Sequence, residues 1–462
     1  MSAEVSAASY RDAAGFVFRR DGVLYRQVND SFRDAYDAVE GSGLYAELAE
    51  AGLLVAHREA DVALAARPDD AYRVLRPDVV EYISYPYEWC FSELKDAALL
   101  TLEVQLRALT RGLVLRDASA YNVQFVGARP VFIDTLSFAP LAEGQPWYAY
   151  RQFCEHFLAP LALMSRRDVR LGALHGLFPD GVPLDMASSV LGARAMLRLG
   201  LALHVRAHAT AQKRFAGAAL DSVRARRMSP RQLRQLAEHL RSTVEGLTWS
   251  PGGTVWADYE QAHNYSGTAL SAKAAAVREA LAGLRPRLTF DLGANTGTFS
   301  RIAADLGSHV VALDGDPGAV ELLYCRLRPT GERRILPLVV DLRNPSPASG
   351  WGHRERSSLA ERGPADAILA LALVHHLTLG GTVPLPRVAE YFALLGRAAL
   401  VEFVPMDDPQ ARRLVAHRPE VPHGYSQGDF ERAFGAHFEV AQRRALPESG
   451  RVLYTLVARG GR

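Results

Sequence analysis

The sequence predicts an α/β protein whose C-terminal part is a doubly wound parallel sheet closed by a terminal β-hairpin, preceded by an α+β domain and a helical segment. Three observations predict it. From residue 254 onward, strand-like and helix-like runs alternate, the pattern of parallel βαβ units. The last two strand-like runs follow one another with no helix between them, so they pair antiparallel. Upstream, hairpin signals and helical stripes mix over residues 11–150, and residues 151–250 read as almost wholly helical. A chain of 462 residues has room for these parts at about 100–200 residues per domain.

In chain order, Gly15-Phe-Val-Phe-Arg19 and Val23-Leu-Tyr-Arg-Gln-Val28 flank Asp21-Gly22, a hairpin signal. Helical patterning follows at Arg33–Ala51 and at Phe91–Thr110, where Leu94, Ala97, Ala98, Leu102, Val104 and Leu106 form a broad apolar stripe. Short strands are expected at Gly112–Leu115, Val123–Val126 and Pro130–Ile133. Helices are expected at Phe157–Met164, Ser188–Leu199 and Leu201–Thr210, and around Ser229-Pro230, with Ser229 as N-cap and Pro230 in the first turn. Arg224, Arg226, Arg227, Arg231, Arg234 and Arg241 dot that last region, read as a solvated face, with a phosphate-binding or acidic-partner face as the alternative. Pro251-Gly252-Gly253 marks a break. Beyond it, strands are expected at Leu288–Leu292, His309–Asp314, Ile335–Val340, Ala365–Leu373, Ala398–Phe403, Phe438–Arg444 and Val452–Ala458.

Composition excludes several classes. With 48% hydrophobic and 23% charged residues, wholesale disorder is ruled out. A net charge of +2 gives no footprint for nucleic acid. Cys90, Cys154 and Cys325 are too few for a disulfide framework or a zinc cluster and fit a reducing, cytoplasmic setting. No apolar run approaches a membrane span, and no signal peptide is read in the first residues. Lysine occurs only at Lys95, Lys213 and Lys273, against 50 arginines, so any lysine-dependent chemistry has three candidates.

The chemistry concentrates at predicted strand ends, where open α/β sheets bind ligands. The first strand of the C-terminal zone runs into Asp291-Leu-Gly-Ala-Asn-Thr-Gly-Thr-Phe-Ser300. Its glycines permit a tight turn and close backbone approach to a ligand. Asn295 replaces the second glycine of a dinucleotide fingerprint and no third glycine is in register, so a nicotinamide or flavin site fits poorly. The second strand ends in Asp314-Gly-Asp-Pro317, the third in Val340-Asp341-Leu342, the fourth before His375-His376-Leu377, and the fifth in Glu402-Phe-Val-Pro405. This series resembles the motifs of class I S-adenosylmethionine-dependent methyltransferases, which have a Rossmann-like sheet. The resemblance implies a donor site at Asp291, Gly293, Asn295 and Gly297, with Asp314 on the ribose and Asp341 at the adenine. Tyr265 would approach the methionine end or the sulfonium from a lid segment that also holds Trp256, Tyr259 and Lys273. His375, His376 and Glu402 are then the candidate catalytic groups, because a hydroxyl acceptor wants a base.

A second pattern lies upstream. Arg116-Asp117-Ala-Ser-Ala-Tyr-Asn122 is followed by Val131-Phe-Ile-Asp134. This resembles the catalytic and metal loops of protein kinases and aminoglycoside phosphotransferases. The resemblance implies Asp117 as base and Asn122 and Asp134 as Mg²⁺ ligands for ATP, with residues 80–86 as hinge. The small-lobe lysine is missing; Arg26 is the nearest substitute and no geometric copy of it. With Ser84-Tyr-Pro-Tyr-Glu-Trp89 and Ile133-Asp-Thr-Leu-Ser137, the whole chain resembles bacterial methyltransferases of nodulation, surface-glycan or natural-product tailoring type. The expected organisation is a kinase-like α+β region over 11–150, a helical continuation over 151–250 and a methyltransferase domain over 254–462. The expected activity is S-adenosylmethionine-dependent methylation of a small-molecule or glycan acceptor, at oxygen, with no resident metal. The alternatives are a bifunctional kinase–methyltransferase using ATP and Mg²⁺, and a non-catalytic scaffold. Neither the acceptor nor the oligomeric state is written in the sequence.

Overall fold

The computed structural model describes residues 3–195, 198–206, 227–251, 267–416 and 424–460. The chain divides into two units. The first comprises Met1–Val126, Pro130–Trp249 and Gly350–Arg356, and the second comprises Gly127–Arg129, Ser250–Ser349 and Ser357–Arg462.

The first unit opens with a five-stranded antiparallel sheet of β1 (Glu4–Val5), β2 (Gly15–Arg20), β3 (Val23–Asn29), β4 (His57–Ala60) and β5 (Ala71–Pro77), in the order β1-β2-β3-β5-β4. Period-two alternation sends Phe16 and Phe18 inward, where they pack with Tyr25, Ala65 and Val74. Burying each large side chain is worth about 1.5–3 kcal/mol. The turn between β2 and β3 needs two left-handed residues, which Asp21 (φ 54°) and Gly22 (φ 78°) supply. The expected helix Arg33–Ala51 is instead two helices, Arg33–Gly41 and Leu44–Glu50. Gly43 (φ 73°) breaks it, because a left-handed residue cannot continue a right-handed helix.

The Phe91–Thr110 helix forms as expected and buries the predicted stripe except Leu106, which is half-buried. The Glu93 carboxylate accepts from the Cys90 N–H (2.8 Å) at its N-terminus. After it come β6 (Leu113–Leu115), β7 (Val123–Val126), β8 (Arg129–Phe132) and β9 (Phe138–Pro140), paired β6–β9 and β7–β8. Helical turns follow: one wide turn at Cys154–Leu158, then helix Ala159–Arg166 and the helical stretch Leu184–Ala195, which Gly192 (φ 70°) kinks, so the expected Ser188–Leu199 helix is not continuous. Of the expected Leu201–Thr210 helix, Leu201 ends a short helix (Leu199–Leu201) and Ala202–Arg206 form a second wide turn; residues 207–210 lie outside the described residues. Ser229 caps the Pro230–Glu245 helix, as its sequence predicts, by accepting from the Gln232 N–H (3.3 Å). That helix buries Leu233, Ala237, Leu240 and Val244 against the Phe91–Thr110 helix. Its arginine face is partly matched by acids: Arg241 pairs with Glu103, and Arg234 with Glu238 (2.9 Å). Arg224 and Arg226 lie outside the described residues.

The second unit is a seven-stranded sheet of β10 (Leu288–Leu292), β11 (His309–Asp314), β12 (Ile335–Val339), β13 (Ala367–Ala370), β14 (Ala398–Phe403), β15 (Phe438–Ala445) and β16 (Val452–Ala458), in the order β12-β11-β10-β13-β14-β16-β15. The first five are parallel; β16 pairs antiparallel with β14, and β15 with β16. β13 and β14 are buried along their whole length, as strands covered on both faces must be. The chain runs outward from β10 to β12, then crosses back to β13. The cleft between β10 and β13 at their C-terminal ends is therefore the topological switch point. β13 is shorter than the expected Ala365–Leu373, because Ala372 turns left-handed (φ 54°) and carries the backbone out of the sheet toward His375 and His376.

Candidate functional site

At the switch point lies a cleft of about 640 Å³. Its floor is the loop after β10. Gly293 (φ 73°), Asn295 (φ 48°) and Gly297 (φ 83°) are all left-handed, which curls the loop into a cradle before the Thr298–Asp305 helix. A Cβ on Gly297 would come within 2.6 Å of Leu323. The loop is tied to its neighbour strand: the N–H groups of Gly293 (2.8 Å) and Ala294 (3.0 Å) donate to the Leu313 carbonyl. The Asn295 N–H donates to Asp314 Oδ2 (2.8 Å), and the Asp316 N–H to Asp314 Oδ1 (2.8 Å). Asp316 itself caps the Pro317–Leu327 helix through the Gly318 N–H (2.7 Å).

Asp291 lies below the cradle, buried, and accepts from Ser300 Oγ (2.6 Å). Burial pushes its carboxyl up to about 6, and the charge of Asp314 adds to the shift. Burial likewise raises Asp314 to about 6 against the backbone N–H groups that favour its charged form. Asp341 lines the same cleft at the end of β12, half exposed and held by Arg343 through Oδ1 (3.1 Å) and Oδ2 (3.0 Å). Partial burial would raise it, but the Arg343 hydrogen bonds outweigh that and hold it low.

His376 lines the cleft, and His375 lies beside it with ring centroids 4.2 Å apart and the planes tilted by 43°. Burial lowers His376 to about 4, aided by the positive charge of Arg451. His375 is more deeply buried and is held well below the ordinary imidazole value by burial first and His376 second. Both rings are therefore neutral at pH 7. Glu402 is fully buried, and its carboxylate is engaged by Lys273 Nζ (2.6 Å) and Arg451 Nη1 (3.3 Å). Arg451 Nε continues the chain to Asp408 (2.7 Å). This arrangement makes Glu402 an ion-paired anchor rather than an open base. Removing one partner of such a buried pair costs about 3–5 kcal/mol. Tyr265 lies outside the described residues, as do Trp256 and Tyr259.

Sequence reasoning missed the Lys273–Glu402–Arg451–Asp408 chain. Its one signal was Lys273 itself, a rare lysine on an alanine-rich helix (Gly267–Leu284). Arg451 and Asp408 are brought together only by the antiparallel pairing of β16 on β14, which no local pattern announces.

In the first unit, Asp117, Asn122 and Asp134 join one polar network. One Asp134 oxygen is paired with Arg26 and accepts from the Leu136 N–H (3.3 Å); the other accepts from the Ser137 hydroxyl. The Asn122 amide donates to Ser137 Oγ (3.2 Å), and Asp117 accepts from the Ser119 N–H (2.9 Å). Burial raises Asp117, and the charge of Asp134 adds to it. As arranged, these residues do not fit a Mg²⁺ ion, because the carboxylate that would ligate it is already neutralised by a guanidinium. Among the described residues, no group of three His, Cys, Asp or Glu side chains is placed to hold a metal. None of their helices is long and apolar enough to cross a membrane.

No family model matches the chain. It is 36% identical over 455 residues to nodulation protein NoeA of Rhizobium meliloti (strain 1021), covering 97% of this chain and 95% of that one. Solved structures give partial likenesses. Magnesium protoporphyrin IX methyltransferase ChlM of Synechocystis PCC 6803, with bound SAH, matches at 15% identity and TM-score 0.31, over 41% of this chain and 84% of its own. N-methyltransferase NodS of Bradyrhizobium japonicum WM9 matches at 11% and 0.32, over 42% and 99%. The bifunctional kinase-methyltransferase WbdD matches at 15% and 0.30, over 45% and 43%.

Proposed function

The chain belongs to the family of nodulation protein NoeA, and from the geometry of its cleft we propose that it is an S-adenosylmethionine-dependent methyltransferase acting on a small-molecule or glycan acceptor, at oxygen. The observation that carries the proposal is the Gly293–Gly297 cradle pinned beneath Asp314 at the switch point. The residues present fit the donor. Gly293 and Gly297 supply the left-handed backbone angles that curl the loop toward it, and Asp314 keeps lone pairs for two ribose hydroxyls. Val340, Asp341 and Leu342 line the adenine side. When bound, S-adenosylmethionine supplies a sulfonium methyl already activated for in-line displacement, so the protein's work is positioning and exclusion of water.

His376 lines the cleft in its neutral form and accepts the proton of the acceptor hydroxyl. His375 backs its ring, and Glu402 holds Lys273 rather than taking a proton. The first unit has no part in phosphotransfer in this reading, because Arg26 takes the place of a metal on Asp134. Incubation of the full chain with methyl-labelled donor and hydroxylated oligosaccharides tests the acceptor class. Label in an alkali-stable methyl ether is expected; label confined to amino groups overturns the assignment to oxygen.

A further inference from the structure

Three cations line the cleft among the described residues: Lys273, Arg343 and Arg413. Two of them are matched. Lys273 is buried against Glu402 (2.6 Å), and Arg343 holds both carboxylate oxygens of Asp341 (3.1 and 3.0 Å). Arg413 is different. It is exposed on the Pro409–Val415 helix, and among the described residues no carboxylate pairs with it. An unmatched guanidinium in a cleft wall offers a rigid fork of N–H donors, the shape that binds an oxyanion through two parallel hydrogen bonds.

Its neighbours place it beside the reacting group. The Pro409–Val415 helix packs on the wide turn His376–Gly380. A Cβ on Gly380 would lie 3.5 Å from Leu414, so the turn and the helix meet in ordinary van der Waals contact. A Cβ on Gly381 would lie 2.9 Å from the Arg343 side chain, so the same loop also touches the far wall. Leu373, Leu377 and Leu414 line the cleft next to His376 and Arg413. His376 follows β13 and Arg413 follows β14, whereas Asp314 ends β11 and Asp341 follows β12. A neutral imidazole, an apolar strip and a guanidinium thus share the half of the sheet away from the ribose carboxylate. A pyranose ring has a C–H face for the leucines and a polar rim, on which one hydroxyl can meet His376 while an acidic substituent meets Arg413.

The geometry points to an acceptor saccharide that carries an anionic substituent, a carboxylate, sulfate or phosphate, held by Arg413 beside the hydroxyl that His376 serves. This rests on the reading of the cleft as a methyltransferase site. The full chain, saturated with S-adenosylhomocysteine, is titrated calorimetrically with a galacturonate trimer, a sulfated glucose trimer, a phosphorylated glucose trimer and the neutral glucose trimer. At least one anionic trimer is expected to bind about tenfold or more tighter than the neutral one, and which one does so identifies the anion. Arg413→Gln is expected to shrink that preference to within about threefold while S-adenosylhomocysteine affinity changes less than about twofold; Arg413→Lys, which keeps the charge and loses the fork, retains part of it. Raising salt from 50 to 500 mM should weaken the anionic trimers and leave the neutral one unchanged. No preference for any anionic trimer, or a preference that survives Arg413→Gln, overturns the assignment. Loss of S-adenosylhomocysteine affinity in Arg413→Gln also overturns it, because Arg413 then serves the donor. If the unaltered chain does not bind S-adenosylhomocysteine, the donor-site reading itself fails.

Discussion

At the scale of single residues, protonation separates the carboxyls of the cleft, raised by burial, from its imidazoles, lowered by it. Asp314 has its carboxyl raised to about 6 by burial, so it is charged at pH 7.5 and largely protonated at pH 5. Donor binding should therefore weaken as pH falls through about 6. Asp314→Asn should weaken binding by about 1–3 kcal/mol at pH 7.5 and remove that acidic limb, as read by titration at several pH values. For stability the sign is opposite. A carboxyl raised in the fold contributes stability that is fully present below its unfolded value and is lost as pH rises through about 6, so the Asp291–Asp314 pair favours mildly acidic conditions. His376 sits at about 4 and stays neutral from pH 6 to 8. His376→Gln should lower kcat by about 10²–10⁴-fold with little change in donor affinity, a split that a structural role would not produce. Asp291, Asp314, Asp341, His375, His376 and Glu402 were all legible as strand-end residues, because ligand sites in such sheets lie there. The partner of Glu402 was not. Lys273 precedes it by more than a hundred residues, and only the packed fold brings the two within 2.6 Å.

At the scale of elements, local pattern and long-range pairing divide the credit. β10, β11, β14 and β16 begin and end where their apolar runs do, and the Phe91–Thr110 helix matches its stripe. The pattern failed where one backbone angle overrides composition: Gly43 splits an apparently continuous helix, and Ala372 ends β13 early inside an apolar run. The cradle between β10 and the Thr298–Asp305 helix depends on the same kind of angle. Gly297→Ala must place a side chain at φ 83° and within 2.6 Å of Leu323, so it should abolish measurable donor binding and lower stability by about 1–3 kcal/mol. In the first unit, Leu240 is fully buried on the Pro230–Glu245 helix. Leu240→Ala should cost about 2–5 kcal/mol in denaturant unfolding while leaving donor affinity unchanged.

At the scale of the whole molecule, the chain joins an antiparallel-sheet and helix unit to a doubly wound sheet, and the two carry different chemistry. The kinase-like pattern of Asp117, Asn122 and Asp134 was legible, and so was the lack of a lysine upstream of Lys95. What the sequence did not show is that Arg26 reaches Asp134 and closes the network with Ser137 and Asn122. Fifty arginines against three lysines thus have unequal meaning at two places. Arginine stands at the upstream network, and lysine stands in the cleft wall. ATP with Mg²⁺ should produce no saturable thermal shift, and a shift abolished by Asp134→Asn would contradict the ion-paired reading of that network. The central claim is that the cleft beneath Asp314 is a methyl-donor site. Calorimetric titration of the full chain with S-adenosylmethionine at pH 7.5 tests it most directly: the account predicts saturable binding of one donor per chain that Gly297→Ala eliminates, and no saturable binding by the unaltered chain would contradict it.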